Sequence, residues 1–285
     1  MIEEPPRPGL TTSARVVAYD GDAAREIVDD LATEEPLEIR LLAGSETQSV
    51  AVTMRTPGND FELAAGFLYS EGVVREAREI AGISYCIDPQ IDAQQRYNIV
   101  NVQLTAAGAP PLERLERHFT MNSACGVCGK ATIDALATRA RRVEDPVRVP
   151  LSFISQLPEK MRAAQRVFAS TGGLHAAALF DEAGKVLVLR EDVGRHNALD
   201  KIVGWALLGG RLPLRGCVLL VSGRASYELL QKSILAGIPI VCAVSAPSSL
   251  AVDLASRFGV TLAGFVRGSR ANVYAGAERI AGRES

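Results

Sequence analysis

Net charge, cysteine and histidine are all scarce in this chain, and each scarcity excludes something. The 285 residues carry a formal charge of −2 at pH 7. Proteins that grip a nucleic-acid backbone usually need a strong basic excess to neutralise phosphates, so nucleic acid is not an expected partner. Five cysteines is an odd number, in a chain too long to need covalent stapling, and this argues against a disulfide framework. No repeat period is visible. Apolar runs such as "CVLLV" and "IPIVCAV" fall far short of the roughly 20 residues a bilayer-spanning helix requires, so no membrane contact is expected. The opening "MIEEPPRPGLTTSAR" is acidic and proline-rich, with no basic start leading into an apolar core. It reads as a disordered tail over residues 1–13 and not as a signal peptide. The expected location is cytoplasmic.

What is present is enough apolar sequence for two lobes, since a domain typically runs about 100–200 residues. Residues 14–118 read as an α+β lobe. "ARVVAY", "PLEIRLL" and "QSVAVTM" are strand-like, and "LLAGSETQSV" reads as a hairpin connection through Gly44. Asn59 is expected to cap a helix over "DFELAAGFLYSEG" that Gly72 ends, with further strands at "SYCID" and "YNIVNVQLT". Residues 119–150 hold a cysteine loop and a connecting helix, Lys130 to Val143, with Ile133, Leu136, Ala137 and Ala140 on one face. Residues 151–285 form the second domain. In it, "LHAAALF" and "KVLVLRE" flank the turn "DEAG" and a helix follows through "HNALDKIVGWALLGG". The sequence then alternates strand, helix, strand, helix, strand, with apolar strands that suit a parallel sheet covered on both faces.

Ligands of such a sheet bind in the crevice beyond the carboxyl ends of its strands. Three polar segments fall there: "SGRASYE" with Arg224, "SAPSS" opening a helix, and "RGSR" with Arg267 and Arg270. Arginines beside two helix N-termini can cradle phosphates, because free amide N–H groups and the helix dipole favour negative charge. The plainer alternative is that these are solvated loop arginines.

The chemical pair is Cys125 and Cys128, in "TMNSACGVCGKATIDAL". Cys86, Cys217 and Cys242 sit in strand-like runs and read as small buried hydrophobes. A thiol near a helix N-terminus becomes more acidic, from about 8.5 toward about 3.5–7.5, and so more nucleophilic at neutral pH. Such a cysteine can attack a disulfide or a persulfide. A structural zinc site needs four ligands, and His118, His175 and His196 offer no second half at the usual spacing. The zinc-deaminase pattern is missing both parts, since "AA" follows His175 and Ala124 precedes Cys125. A thioredoxin-type dithiol would follow the first strand of a βαβ unit, not a long α+β stretch. By these residues alone, redox exchange, metal binding and sulfur carriage all stay open.

Five blocks, "SACGVCG", "TGGLHAAALFD", "EDVGRHNALDK", "SGRASYELLQKS" and "GFVRGSRANVY", occur in this order. Over roughly residues 15–275 the chain thereby resembles the formate dehydrogenase accessory sulfurtransferase family, FdhD. The resemblance implies a cytidine-deaminase-like, three-layer α/β/α C-terminal domain joined to a smaller α+β N-terminal domain, in a homodimer. It implies a sulfurtransferase that takes sulfur from a cysteine desulfurase as a cysteine persulfide. The acceptor it implies is the molybdenum bis-molybdopterin guanine dinucleotide cofactor, before that cofactor enters formate dehydrogenase. By motif position Cys125 is then the persulfide cysteine and Cys128 assists it, while Phe265, Val266, Arg267, Gly268, Ser269 and Arg270 match the cofactor-binding stretch. A chaperone that binds the cofactor without transferring sulfur is the alternative. In "EDVGRHNALDK", His196 suits general acid–base chemistry or local bonding equally, with Asp192 a candidate helix cap. His175 reads as structural.

Overall fold

The computed structural model describes residues 7–43, 46–93, 95–105 and 136–281. Strands β1 (Thr11–Asp20) and β2 (Ala23–Ala32) pair antiparallel and form a separate two-stranded ribbon. β1 begins at Thr11, inside the stretch expected to be a tail. β2, "AAREIVDDLA", does not read as a strand in sequence, because its charges fall on both faces and blur the two-residue period.

β3 (Glu35–Ala43) and β4 (Glu46–Arg55) form the expected hairpin, closing at Ala43 opposite Glu46; Gly44 lies outside the described residues. β5 (Ile80–Tyr85) and β6 (Ile99–Leu104) complete a sheet in the order β4-β3-β6-β5. Helix α1 (Asp60–Glu71) covers it, packing Leu63, Ala64 and Leu68 against Leu37, Ile39, Leu41, Val100 and Val102. Asn59 does precede α1, but it is left-handed (φ 56) and its side chain makes no capping bond. Asp60 and Glu62 in the first turn complement the helix dipole instead. Gly72 (φ 81) ends α1 as expected, its N–H returning to the Leu68 and Tyr69 carbonyls.

The expected helix to Val143 lies outside the described residues up to 135. Helical backbone stops at Ala137, because the chain turns to give the Val143 N–H to the Phe258 carbonyl at 2.8 Å. β7 (Val149–Pro150) leads into α2 (Leu151–Ala164). Pro158 inside α2 masks it in sequence, yet Ile154, Leu157 and Met161 give it a buried face. After the short α3 (Val167–Thr171), β8 (His175–Phe180) and β9 (Val186–Asp192) make the expected hairpin.

α4 (Arg195–Leu208), β10 (Val218–Val221), α5 (Tyr227–Leu235), β11 (Ile240–Ala243), α6 (Ser249–Phe258) and β12 (Thr261–Arg267) follow the alternation expected. β13 (Arg270–Ala275) returns along β12, and β14 (Ile280–Ala281) pairs with β7. The six-stranded order is β13-β12-β11-β10-β8-β9. Only β10, β11 and β12 are mutually parallel; β8, β9 and β13 join antiparallel. The alternating series is thus parallel as expected, and the whole sheet is mixed because hairpins lie at both its ends. Alternation along β10 sends Leu219 and Val221 into the core beneath α4, α5 and α6, and Val218 and Leu220 into the core beneath α2. That is a three-layer α/β/α arrangement. α1 crosses α4 at Gly66 and Gly204, where a Cβ on either glycine would collide with backbone of the other helix.

Candidate functional site

The loops after β10 and β11 and the carboxyl end of β12 are joined to one another by backbone. The Ala225 N–H donates to the Ala246 carbonyl (3.2 Å) and the Ser248 N–H to the Ala225 carbonyl (2.9 Å). The Phe265 N–H donates to the Ser245 carbonyl (3.1 Å). These bonds draw the loops into one rim from which α5 and α6 start. Ser248 caps α6 by accepting from the Ala251 N–H at 3.3 Å, whereas Ser226, at the N-cap of α5, has its hydroxyl 3.4 Å from His196 Nε2.

The arginines sit on this rim. Arg224 is exposed in the loop after β10. Arg267 and Arg270 are directly opposite each other across the β12–β13 turn made by Gly268 (φ 53) and Ser269. Opposed residues of an antiparallel pair share a face, and like charges placed there repel. Both are exposed and have no ion-pair partner among the described residues. An anion bridging them would relieve the repulsion. Phe265 has φ 52 at an irregularity in the β12–β13 register, which turns its N–H toward Ser245. Val266 is fully buried in the core beneath α2; its side chain faces away from the rim, so what it offers a ligand there is backbone.

On the α2 side of the same strand ends lies a cavity of about 540 Å³. Met161, Leu174, Val193 and Val244 make its apolar wall, with Gln165, His175 and Ser222 among its polar atoms. Arg162 lies over the Phe168 ring at 4.3 Å at the margin. His175 Nδ1 is 3.5 Å from the Ser222 hydroxyl, which accepts from the Ala176 N–H at 2.9 Å. Burial, then the charges of Arg195 and His196, push the His175 pKa below its ordinary value, so the ring is neutral at pH 7. Sequence reasoning missed Ser222, although it is the first residue after β10, and missed the α2 residues because Pro158 hid the helix.

"EDVGRHNALDK" is largely structural. Asp192 accepts from the Gly194 N–H (2.8 Å), the Asn197 amide (3.0 Å) and the Thr56 N–H (3.3 Å), and is 2.7 Å from the Lys201 ammonium. It thus fixes the turn before α4 without occupying the N-cap, which is Gly194. Asp200 holds Lys232 with both oxygens at 2.8 Å and accepts from the Ser70 hydroxyl at 2.9 Å. His196 pairs locally with Glu228 at 2.7 Å, and that bond holds the Glu228 carboxyl below its usual range. The Nε of Arg195 is buried and without a partner among the described residues.

Cys125 and Cys128 lie outside the described residues. Cys86, Cys217 and Cys242 are buried free thiols, as expected. Burial pushes Cys217 up to about 11 and Cys242 up to about 12, which keeps both protonated and poorly nucleophilic at neutral pH. Among the described residues no three His, Cys, Asp or Glu side chains converge as a metal site would require, and no helix is long and apolar enough to cross a membrane.

A mixed α/β fold with an arginine-bearing rim at its strand ends is the frame into which the comparisons fit. Residues 32–281 match the model of the FdhD/NarQ family, and the chain belongs to that family. It is 54% identical over 275 residues to the sulfur carrier protein FdhD of Streptomyces avermitilis, covering 95% of this chain and 96% of the relative. To the protein of the same name from Mycolicibacterium paratuberculosis it is 50% identical over 274 residues, with 95% and 99% covered. The crystal structure assigned as a formate dehydrogenase accessory protein from Desulfotalea psychrophila superposes with a TM-score of 0.73 at 26% identity, covering 96% of this chain and all of that one.

Proposed function

We propose that this chain carries sulfur, as a persulfide on Cys125, from a cysteine desulfurase to the molybdenum bis-molybdopterin guanine dinucleotide cofactor destined for formate dehydrogenase. The observation that carries the reading is the opposed Arg267–Arg270 pair on the stitched rim, in a chain whose relatives are named sulfur carriers. A dinucleotide cofactor brings several phosphates, and arginine binds phosphate oxygens through paired N–H donors. Arg224 adds a third cation on the same rim.

In the loading step the Cys125 thiolate attacks the outer sulfur of the desulfurase persulfide. A new S–S bond forms on Cys125, the old one breaks, and the desulfurase cysteine leaves as thiolate, so no net electrons are exchanged. Delivery of that sulfur as sulfide takes up two electrons. Cys128 can supply them by closing a disulfide onto Cys125, which a cellular thiol reductant then reopens. The cofactor is the acceptor, and the role of the rim is to hold its phosphates.

The rim assignment is tested with guanosine diphosphate as probe. Arg267→Ala and Arg270→Ala are each expected to weaken its binding about ten- to a hundredfold, the loss of one charge-assisted contact worth roughly 1.5–3 kcal/mol. Titration calorimetry reads the change. Unchanged affinity in both variants removes the phosphate assignment.

A further inference from the structure

Gln165 lines the cavity on the α2 side of the strand ends and is only 5% exposed, yet its side-chain amide makes no hydrogen bond among the described residues. A buried amide left unpaired costs free energy unless a ligand or water takes up its donor and acceptor. Of the residues lining the cavity only Arg162 is charged at pH 7, and its guanidinium already lies over the Phe168 ring. The lining therefore suits a neutral polar ring and not a phosphate. Val244 of the wall is followed by Ser245, whose carbonyl receives the Phe265 N–H on the rim. A ring in the cavity and phosphates on the rim are thereby neighbours, as the two halves of a nucleotide require.

Ser222 fixes what His175 offers to such a ring. Its hydroxyl oxygen accepts from the Ala176 N–H at 2.9 Å, and its hydrogen has no acceptor among the described residues but His175 Nδ1, at 3.5 Å. A neutral imidazole that accepts at Nδ1 carries its proton on Nε2. We infer that His175, held by Ser222 as the Nε2–H tautomer, reads the base of the bound nucleotide and selects a ring carbonyl, as in guanine, over an amino group, as in adenine. This rests on the nucleotide-binding role proposed above and adds how the base is chosen. Gln165 alone cannot choose, because an amide offers one donor and one acceptor and can turn over to suit either base. A fixed N–H on the same cavity can: it pairs with a carbonyl oxygen but meets an amino group donor against donor, leaving both unpaired. His175 thus touches the base, and Ser222 is a positioning residue.

Nitrogen-15 NMR of the full chain reads the tautomer without any substitution. Of the three histidines, His175 is expected to be protonated at Nε2 and not at Nδ1 at pH 7; the reverse overturns the proposal. By titration calorimetry the wild-type chain is expected to bind guanosine diphosphate at least about tenfold more tightly than adenosine diphosphate. Ser222→Ala is expected to reduce that preference to within about threefold, and Ser222→Thr, which keeps the hydroxyl, to retain it. Equal binding of the two nucleotides by the wild-type chain overturns the proposal, as does a Ser222→Ala chain with the full preference or a Ser222→Thr chain without it. Arg267→Ala is expected to weaken both nucleotides by one factor and leave their ratio unchanged, so failure of the rim assignment and failure of the base reading are told apart.

Discussion

Alanine at Gly66 or Gly204 is expected to destabilise the chain by about 3 kcal/mol at either site, at the upper end of what overpacking usually costs. A Cβ on Gly66 would lie 2.7 Å from the carbonyl carbon of Asp200 and 2.8 Å from the nitrogen of Gly204, and one on Gly204 would meet the Glu62 backbone. The atoms struck are main chain of a helix, which cannot rotate aside as a side chain can, so α1 and α4 must separate. Separation spreads in two directions. α1 holds the core of the first lobe and α4 a core of the second, while the Arg190–Glu62 pair (2.6 and 2.7 Å) and the Ser70–Asp200 bond span the same junction. Urea unfolding monitored by circular dichroism measures the loss. Gly82 has open space where its Cβ would stand, so Gly82→Ala should change the unfolding free energy by no more than about 0.5 kcal/mol. Equal effects at 66, 204 and 82 would contradict the close crossing.

Asp192→Ala should cost about 4 kcal/mol, in the range seen when one partner of a buried ion pair is removed. The Asp192 and Lys201 side chains are 0% and 2% exposed. Without the carboxylate, Lys201 keeps, among the described residues, the Thr56 carbonyl at 3.0 Å and that of Glu191 at 3.4 Å, the N–H donors of Thr56 and Gly194 lose their acceptor, and the Asn197 amide is left with the Met54 carbonyl. Removing both charges together in Lys201→Met/Asp192→Asn should recover a large part of the loss, since the asparagine oxygen still accepts and no lone charge stays buried. Denaturant midpoints of the two chains decide it. A double variant no more stable than Asp192→Ala would mean that packing, not charge, sets the cost.

The alternating series was legible because each of β10, β11 and β12 is an apolar run bounded by polar turns, and the rim because strand ends and helix starts fall at fixed places along such a series. β2 and α2 were hidden for opposite reasons. β2 carries charge on both faces, so no two-residue period survives, whereas α2 has a clear apolar face interrupted by a proline that the first turns of sequence reading treat as a stop. Asp192 read as a candidate helix cap next to His196, and nothing in the sequence marked Lys201 as its buried partner. Their burial depends on Thr56, 145 residues before Lys201, and no local pattern encodes a contact at that separation. The parallel series and the β8–β9 hairpin were both legible, whereas β13, which follows directly on the "RGSR" turn, was not read as a strand.

Intact mass of the chain after incubation with a cysteine desulfurase and cysteine tests the central claim most directly. The wild-type chain is expected to gain one sulfur atom, lost again on treatment with a thiol reductant, and Cys125→Ala is expected to gain none. A wild-type mass that does not change, or a gain that persists in Cys125→Ala, would contradict sulfur carriage by Cys125; the first result would leave a cofactor-binding chaperone in its place.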